Sequence, residues 1–254
     1  VQNVDYDMNY YLAAAYRKNG QPAEAKKVYD AILGLKPEEK DAYFLRGSAE
    51  LELGDYESAK ADFDKAISMD PKNYDRLIEI YEALADYGYR EVGQEYLQNV
   101  LDTAKQLDAY DSGRIYYYLG DYQKAYLALE EAKGKGGVDS YLYLGKAYAA
   151  TGDYNYASSV YSNYLSKQGP DAEIYNQLGL CELAKKDYQK ALEAFQAGKQ
   201  IEGNSLMQTL SFNEIVAYEY LQDYQKAAVL LNAYLQNYPD DQAAIREQQF
   251  LSTR

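Results

Sequence analysis

The sequence of 254 residues contains no histidine, no tryptophan and only one cysteine. Histidine is the commonest general base and the commonest metal ligand, so its absence argues against most acid–base and metal-dependent enzymes. Cys181 alone can form neither an internal disulfide nor a cysteine-rich zinc site, and its apolar surroundings predict a buried small side chain. We therefore expect a protein that is not an enzyme and that needs no cofactor and no metal.

Basic residues are also scarce, with 26 Lys and Arg against 40 Asp and Glu, which gives a net charge of -14. Nucleic acids and anionic membrane surfaces bind clustered basic side chains, so neither is an expected partner. No run of about 18 apolar residues is present, and we expect no transmembrane segment. Carboxylate pairs such as Asp62 and Asp64 are expected to lie on solvated faces.

One six-residue phrase, Gly-Asp-Tyr-x-x-Ala, recurs along the chain. It begins at Gly54, Gly120 and Gly152, and variants begin at Lys186 and Gln222. Recurrence at near-constant spacing indicates an array of one small structural unit. With the turn glycine as position 15, the units span about 6–39, 40–73, 74–105, 106–137, 138–171, 172–207 and 208–241, and a capping helix follows at about 241–252.

The columns of this alignment predict two packed helices in each unit. Position 8 is small in five units, position 20 is small in all seven, and position 24 is large, as expected where two helices approach closely. Glycine at position 15 permits a positive φ at the turn, and Asp at position 16 can cap the second helix. Tyr81 and Ile215 break the small column at position 8.

These columns resemble the tetratricopeptide repeat, over roughly residues 6 to 241. The resemblance implies an all-α, right-handed superhelical α-solenoid of about seven helix-turn-helix units plus the C-terminal capping helix, as a single array over residues 1–254. Units 3 and 4 depart most, because in unit 3 Arg90 replaces the usual aromatic residue and Lys105 replaces the proline, and unit 4 lacks a clear terminating proline. In this family the first helix of each unit lines a concave groove.

Tyrosine, with 32 copies, is the residue that such a groove would display. Many of the tyrosines fall in packing columns, but several fall at groove positions of units 4 and 5, beside the only basic residues at position 9. The hypothesis is a peptide-binding groove centred on Tyr110, Arg114, Tyr117, Tyr143, Lys146 and Asn176. Arg and Lys would bind a carboxylate and Asn a peptide backbone. The alternative is that both cations are solvated or paired with groove acids such as Asp111 and Asp139.

The resulting functional prediction is a non-catalytic scaffold that binds a protein or peptide in its concave groove, with weak self-association through the ends of the array. The alternative is an exported, lipid-anchored bacterial cell-envelope protein involved in assembly or capture at the surface. The sequence starts at Val1, and no capping helix precedes the first unit. We take these two features to favour an extracytoplasmic location over a cytoplasmic one. An adaptor for acidic chaperone tails is not expected, because Tyr10, Phe44 and Ile78 occupy the positions of its basic and amide residues.

Overall fold

The computed structural model describes residues 6–252, which form α-helices and contain no strand. The helices are α1 Tyr6–Lys18, α2 Pro22–Leu35, α3 Lys40–Glu52, α4 Tyr56–Met69, α5 Tyr74–Asp86, α6 Arg90–Thr103, α7 Ala109–Leu119, α8 Tyr122–Glu131, α9 Gly137–Ala150, α10 Tyr154–Gln168, α11 Ala172–Ala184, α12 Tyr188–Lys199, α13 Met207–Tyr220, α14 Tyr224–Asn237 and α15 Gln242–Leu251. The predicted all-α helical repeat solenoid is thereby confirmed.

Each odd-numbered helix up to α13 packs against the even-numbered helix that follows it, so the chain is built from helix pairs. The pairs fall into two compact parts, residues 1–107 with α1 to α6 and residues 108–254 with α7 to α15. In the first part α3 also contacts α5, and in the second part α9 contacts both α7 and α11. The first helices of successive pairs therefore touch one another within each part. A single array through both parts stays a prediction.

The turn inside each pair has the backbone conformation that its glycine predicts. The five turn glycines have φ between 69° and 87°. Lys186 and Gln222, which replace glycine in the last two pairs, keep the same left-handed conformation at φ of 65° and 64°. The turn geometry is thus common to all seven pairs, whichever residue occupies it.

Aspartate at position 16 caps the second helix wherever it occurs, as predicted. The side chain accepts a hydrogen bond from the backbone N–H three residues later, at 3.0 to 3.3 Å, in Asp55, Asp121, Asp153, Asp187 and Asp223. Such a cap satisfies one of the otherwise unpaired amides at a helix start. Gln21 and Tyr89 occupy this position before α2 and α6, and neither makes a side-chain cap.

The small residue at position 8 and the large residue at position 24 pack against each other inside the helix pairs. A Cβ atom added to Gly47, Gly113, Gly145 or Gly179 would lie 2.2 to 2.8 Å from the large residue at position 24 of the same pair. The α5–α6 pair reverses this arrangement, because Tyr81 stands at position 8 and its ring lies against Gly93, where a Cβ would come within 2.9 Å. The break at Tyr81 is therefore compensated across the pair.

The core of the second part runs through the pairs from α7 to α11 and contains Leu129, Leu144, Tyr161, Ile174 and Cys181. Cys181 is 4% exposed, which confirms that it is a buried small side chain. Burial raises the pKa of its thiol to about 12, and the nearby Glu182 carboxylate adds to the shift. The thiolate, which is the nucleophilic form, is therefore suppressed at neutral pH.

Helix α15 covers the last pair of the second part, where the sequence predicts a capping helix. Asp241 caps it by accepting from the backbone N–H groups of Ala243 and Ala244. Ala244 and Leu251 are buried in one apolar cluster with Leu231 of α14. The closing helix thus removes apolar surface of the preceding pair from water.

Candidate functional site

The six residues of the predicted groove lie on the first helices of three successive pairs in the second part of the chain. Three of them are on α7, two on α9 and one on α11: Tyr110, Arg114, Tyr117, Tyr143, Lys146 and Asn176. Because α9 contacts both α7 and α11, the helices that carry them are immediate neighbours. The contacts of each residue show which of them act together.

Tyr117, Tyr118 and Tyr143 form one aromatic group, which we call the tyrosine cluster. The ring centroid of Tyr117 lies 5.4 Å from that of Tyr118 and 5.6 Å from that of Tyr143, both with edge-to-face geometry. The hydroxyl oxygens of Tyr118 and Tyr143 are 3.0 Å apart and share a hydrogen bond. All three side chains are half-buried. The cluster therefore presents rings and hydroxyls from α7 and α9 at a partly exposed site.

Arg114 is only 7% exposed and is engaged on two sides within the chain. Its Nη2 donates to Asp111 Oδ1 at 2.5 Å, and its guanidinium carbon lies 4.3 Å from the centroid of the Tyr110 ring. The Tyr110 ring in turn packs on Gly136, where a Cβ would come within 2.6 Å. Arg114 and Tyr110 thus anchor α7 against the segment that precedes α9, as the alternative reading of Arg114 predicts.

Lys146 also faces a carboxylate, but not the one named from the sequence. Its Nζ lies 3.7 Å from Glu173 Oε1 on α11, and Glu173 Oε1 accepts a hydrogen bond of 2.8 Å from Gln177 Nε2. Both side chains are about one-third exposed, so this ion pair contributes little to stability. Its effect is to neutralise the second cation of the predicted groove.

Asn176 is 5% exposed and is bound to the next first helix. Its Oδ1 accepts a hydrogen bond of 2.8 Å from Asn213 Nδ2 on α13. The pair extends the polar strip of Lys146, Glu173 and Gln177 towards α13. Asn213 was not among the predicted residues, because nothing in its local sequence indicates a partner 37 residues away.

Other tyrosines are used in packing. Tyr148, at a packing position, stacks between Tyr126 and Tyr156 with centroid distances of 4.6 and 5.3 Å. Its hydroxyl donates to Glu130, and burial together with this carboxylate raises its pKa to about 12. Many copies of tyrosine are therefore structural, and the tyrosine cluster is distinguished by its place on neighbouring first helices.

The expectation of solvated carboxylate pairs is wrong for Asp62, which is 6% exposed. Arg46 binds both of its oxygens, at 2.7 and 2.8 Å, and also reaches Asp30 at 2.7 Å. Glu50 lies beside this network with one oxygen 3.4 Å from Lys26. Asp62 is buried because the Arg46 guanidinium lies between α2 and α4 and neutralises it.

Residues 6–252 include no group of three or more metal-ligating side chains and no helix that is long and apolar enough to cross a membrane. Within this range the chemistry of the site is that of rings, hydroxyls, amides and paired charges. Such groups can bind a ligand through apolar contact and hydrogen bonds.

Comparison with solved structures shows the same fold in several repeat proteins. A tetratricopeptide repeat protein from Parabacteroides merdae superposes with a TM-score of 0.58 at 15% identity, covering 85% of this chain and 86% of that one. PilW, described as a widely conserved type IV pilus biogenesis factor, gives 0.54 at 16% identity, covering 98% and 99%. Identities this low show a shared fold alone.

Curated relatives match over a short segment. FK506-binding protein-like proteins of Mus musculus and Homo sapiens are 42% and 40% identical to this chain over 62 residues. The matched segment is 24% of this chain and 18% of each relative, so the chain spans about a fifth of their length.

Family models cover much more of the chain. One tetratricopeptide repeat model matches residues 10–74 and 142–205, and a second matches residues 212–241. Proteins built from this repeat are generally non-catalytic scaffolds for other proteins. With these matches, the paired helices and the common turn geometry, the chain belongs to the tetratricopeptide repeat family.

Proposed function

We propose that this chain is a non-catalytic scaffold that binds a peptide segment of another protein on the first helices α7, α9 and α11, centred on the tyrosine cluster. The observation that carries the proposal is the cluster itself, in which three half-buried rings from two neighbouring helices meet within 6 Å. Tetratricopeptide repeat proteins bind protein or peptide partners, and first helices are where the family resemblance places the groove.

Tyrosine suits such a role for physical reasons. Its ring offers a large apolar area, its hydroxyl makes hydrogen bonds, and it has few rotatable bonds to immobilise on binding. Binding hot spots are accordingly rich in tyrosine. The edge-to-face contacts and the hydroxyl pair of Tyr118 and Tyr143 hold the rings in place before a ligand arrives, which lowers the entropy cost of association.

The charged residues of the predicted groove have a different role in this proposal. Arg114 is paired with Asp111 and covers Tyr110, and Lys146 is paired with Glu173. Arg114 therefore helps to hold α7 against the segment that precedes α9, and neither cation is offered to a ligand carboxylate. Affinity comes from the rings, and the ion pairs neutralise the two cations.

The test is a selection of binders from a displayed library of random peptides against the purified chain, followed by affinity measurements on variants. Tyr117→Ala and Tyr143→Ala are each expected to weaken binding about tenfold or more, as truncation of a hot-spot residue does. Tyr156→Ala is the matched control, because this tyrosine also packs on another tyrosine ring, that of Tyr148, but is 60% exposed and lies on the second helix α10. Circular dichroism checks that each variant keeps its helices.

Two results would refute the proposal. One is a selection that yields no peptide with measurable affinity. The other is a set of binders whose affinity falls equally in Tyr156→Ala and in the two cluster variants, or falls in none of them. Arg114→Ala is avoided in this test, because removing a buried ion-pair partner destabilises the fold and confuses the two causes.

A further inference from the structure

Resting on the proposed function, we infer that the segment bound at the tyrosine cluster is basic: an extended peptide with an aromatic or aliphatic anchor flanked by Lys or Arg. The inference follows from the charges that surround the cluster and from the way this chain already uses its aromatic rings.

The acids and cations balance on α7 and α9, and the groove positions of α7, α9 and α11 together carry one net negative charge. The predicted groove positions of α7, α9 and α11 hold the carboxylates Asp111, Asp139 and Glu173, against the cations Arg114 and Lys146. Both cations are ion-paired within the chain, and Asp139 is exposed. With a net charge of -14 for the whole chain, an approaching acidic segment is repelled and a basic one is attracted.

Cation–ring contacts recur in the described residues. The guanidinium carbon of Arg76 lies 4.0 Å from the centroid of Phe44, and Lys36 Nζ lies 3.6 Å from that of Tyr6. In the second part, Arg114 covers Tyr110 and Lys124 Nζ lies 5.3 Å from the centroid of Tyr116. A ligand cation at the tyrosine cluster would repeat this contact across an interface, where partial desolvation strengthens it.

The neighbouring polar strip is compatible with such a ligand. Asn176 and Asn213 are joined amide to amide, and Gln177 donates to Glu173. These groups carry no net positive charge that would repel Lys or Arg. Glu173 is shared between Lys146 and Gln177 and is 31% exposed, so it remains within reach of water and of a ligand cation.

The experiment compares two synthetic peptides of equal length, blocked at both ends, with the same Trp anchor and either Lys or Glu at the flanking positions. The chain itself has no tryptophan, so the fluorescence of the peptide Trp reports binding without a label. The Lys peptide is expected to bind about tenfold more tightly than the Glu peptide at ~0.05 M salt, and the ratio is expected to shrink at ~0.3 M.

A variant links the preference to the ion pair. Glu173→Gln removes one carboxylate and releases Lys146, so the preference for the Lys peptide is expected to fall about threefold. Tyr117→Ala is expected to weaken both peptides together, because it removes a ring and no charge. A Glu173→Gln variant with the wild-type preference would show that the charges of the strip do not select the ligand.

Every outcome decides between the two proposals. Equal or tighter binding of the Glu peptide overturns the inference of a basic partner and leaves peptide binding in place. Failure of both peptides, when the displayed library has given other binders, also overturns the inference alone. Failure of both peptides together with an empty selection refutes the proposed function as well.

Discussion

Two turns of this chain adopt a left-handed backbone without glycine, and replacing their residues is expected to stabilise the fold. Lys186 and Gln222 have φ of 65° and 64°, whereas glycine occupies the same turn in the other five pairs. A side chain in this conformation costs about 1–2 kcal/mol, because Cβ approaches the following carbonyl oxygen. Glycine has no Cβ and avoids this cost.

The magnitude follows from two opposing terms. Glycine relieves about 1–2 kcal/mol of strain in the folded state, and its greater freedom in the unfolded chain takes back roughly 0.5–1 kcal/mol. We expect Lys186→Gly and Gln222→Gly each to raise the free energy of unfolding by about 0.75 kcal/mol, the difference between the midpoints of these two ranges. The double variant should gain about the sum, because the two turns belong to different helix pairs. Urea unfolding followed by helical circular dichroism measures the change.

Two controls isolate the backbone term. Lys186→Ala removes the charge and the long side chain but keeps a Cβ at positive φ, so no such gain is expected. Gly120→Ala adds a Cβ at φ of 82°, where nothing lies within 4 Å, and should lose about 0.75 kcal/mol, which is the strain less the entropy that the unfolded chain loses. If Lys186→Gly is no more stable than Lys186→Ala, or if Gly120→Ala is neutral, the reasoning fails.

Two further predictions concern buried positions. Burial, with the Asp62 carboxylate second, raises the pKa of Glu50 to about 7, so its ionisation destabilises the fold as pH rises through that value. Glu50→Gln should therefore raise the free energy of unfolding by about 1–2 kcal/mol near pH 8 and change it little near pH 5 in urea titrations, and an equal effect at both would contradict this. Gly145→Ala would place a methyl group 2.2 Å from the Tyr161 ring and should cost about 1–3 kcal/mol. In Gly34→Ala, the added Cβ on α2 has no neighbour within 4 Å, so the free energy of unfolding should rise by about 0.5–1 kcal/mol. Similar melting temperatures for Gly145→Ala and Gly34→Ala would contradict this.

The features of the fold that could be predicted from the sequence depend on short-range rules. Turn residues at positive φ, aspartate caps and the small columns all act within one helix pair, so their spacing in the sequence is enough to place them. Even the departure at Tyr81 has a partner in the same pair, since Gly93 stands where other pairs have alanine. Comparing positions 8 and 20 of each unit as a pair would have predicted this exchange of the large and the small side chain.

The site could be predicted only in part, because its contacts join different pairs. Lys146 reaches Glu173 on the next first helix and not Asp139 on its own, and which acid it meets depends on how the helices cross. The hydrogen bond between Asn176 and Asn213 spans 37 residues for the same reason. Sequence position indicated which helices carry the tyrosines, but the ring geometry that selects three of them arises from packing.

The end of the second part carries a pair of carboxyl groups that should make its capping helix sensitive to pH. Glu219 of α13 is half-buried, with one oxygen fully shielded, and it faces Glu247 of α15. Burial, and then the Glu247 carboxylate, raises the pKa of Glu219 from 4.5 to about 7. The folded state therefore binds the proton more tightly than the unfolded state, and stability falls as pH rises from about 4.5 through 7.

We expect the docking of α15 to weaken between about pH 4.5 and pH 7, on the order of 1 kcal/mol after allowance for solvent screening. Amide hydrogen exchange measures this directly, as protection factors of α15 amides against those of α14 in the same sample. Glu247→Gln removes the like charge and can donate a hydrogen bond to Glu219, but it leaves the burial in place, so its α15 should lose less protection at the higher pH than the wild-type α15 does. A wild-type α15 with constant protection across this range would show that the two carboxyl groups do not oppose each other. Glu247 lies on α15 and not on α14. An equal loss of protection in the α14 amides would therefore show that pH destabilises the whole α13–α14 pair and not the docking of α15 alone.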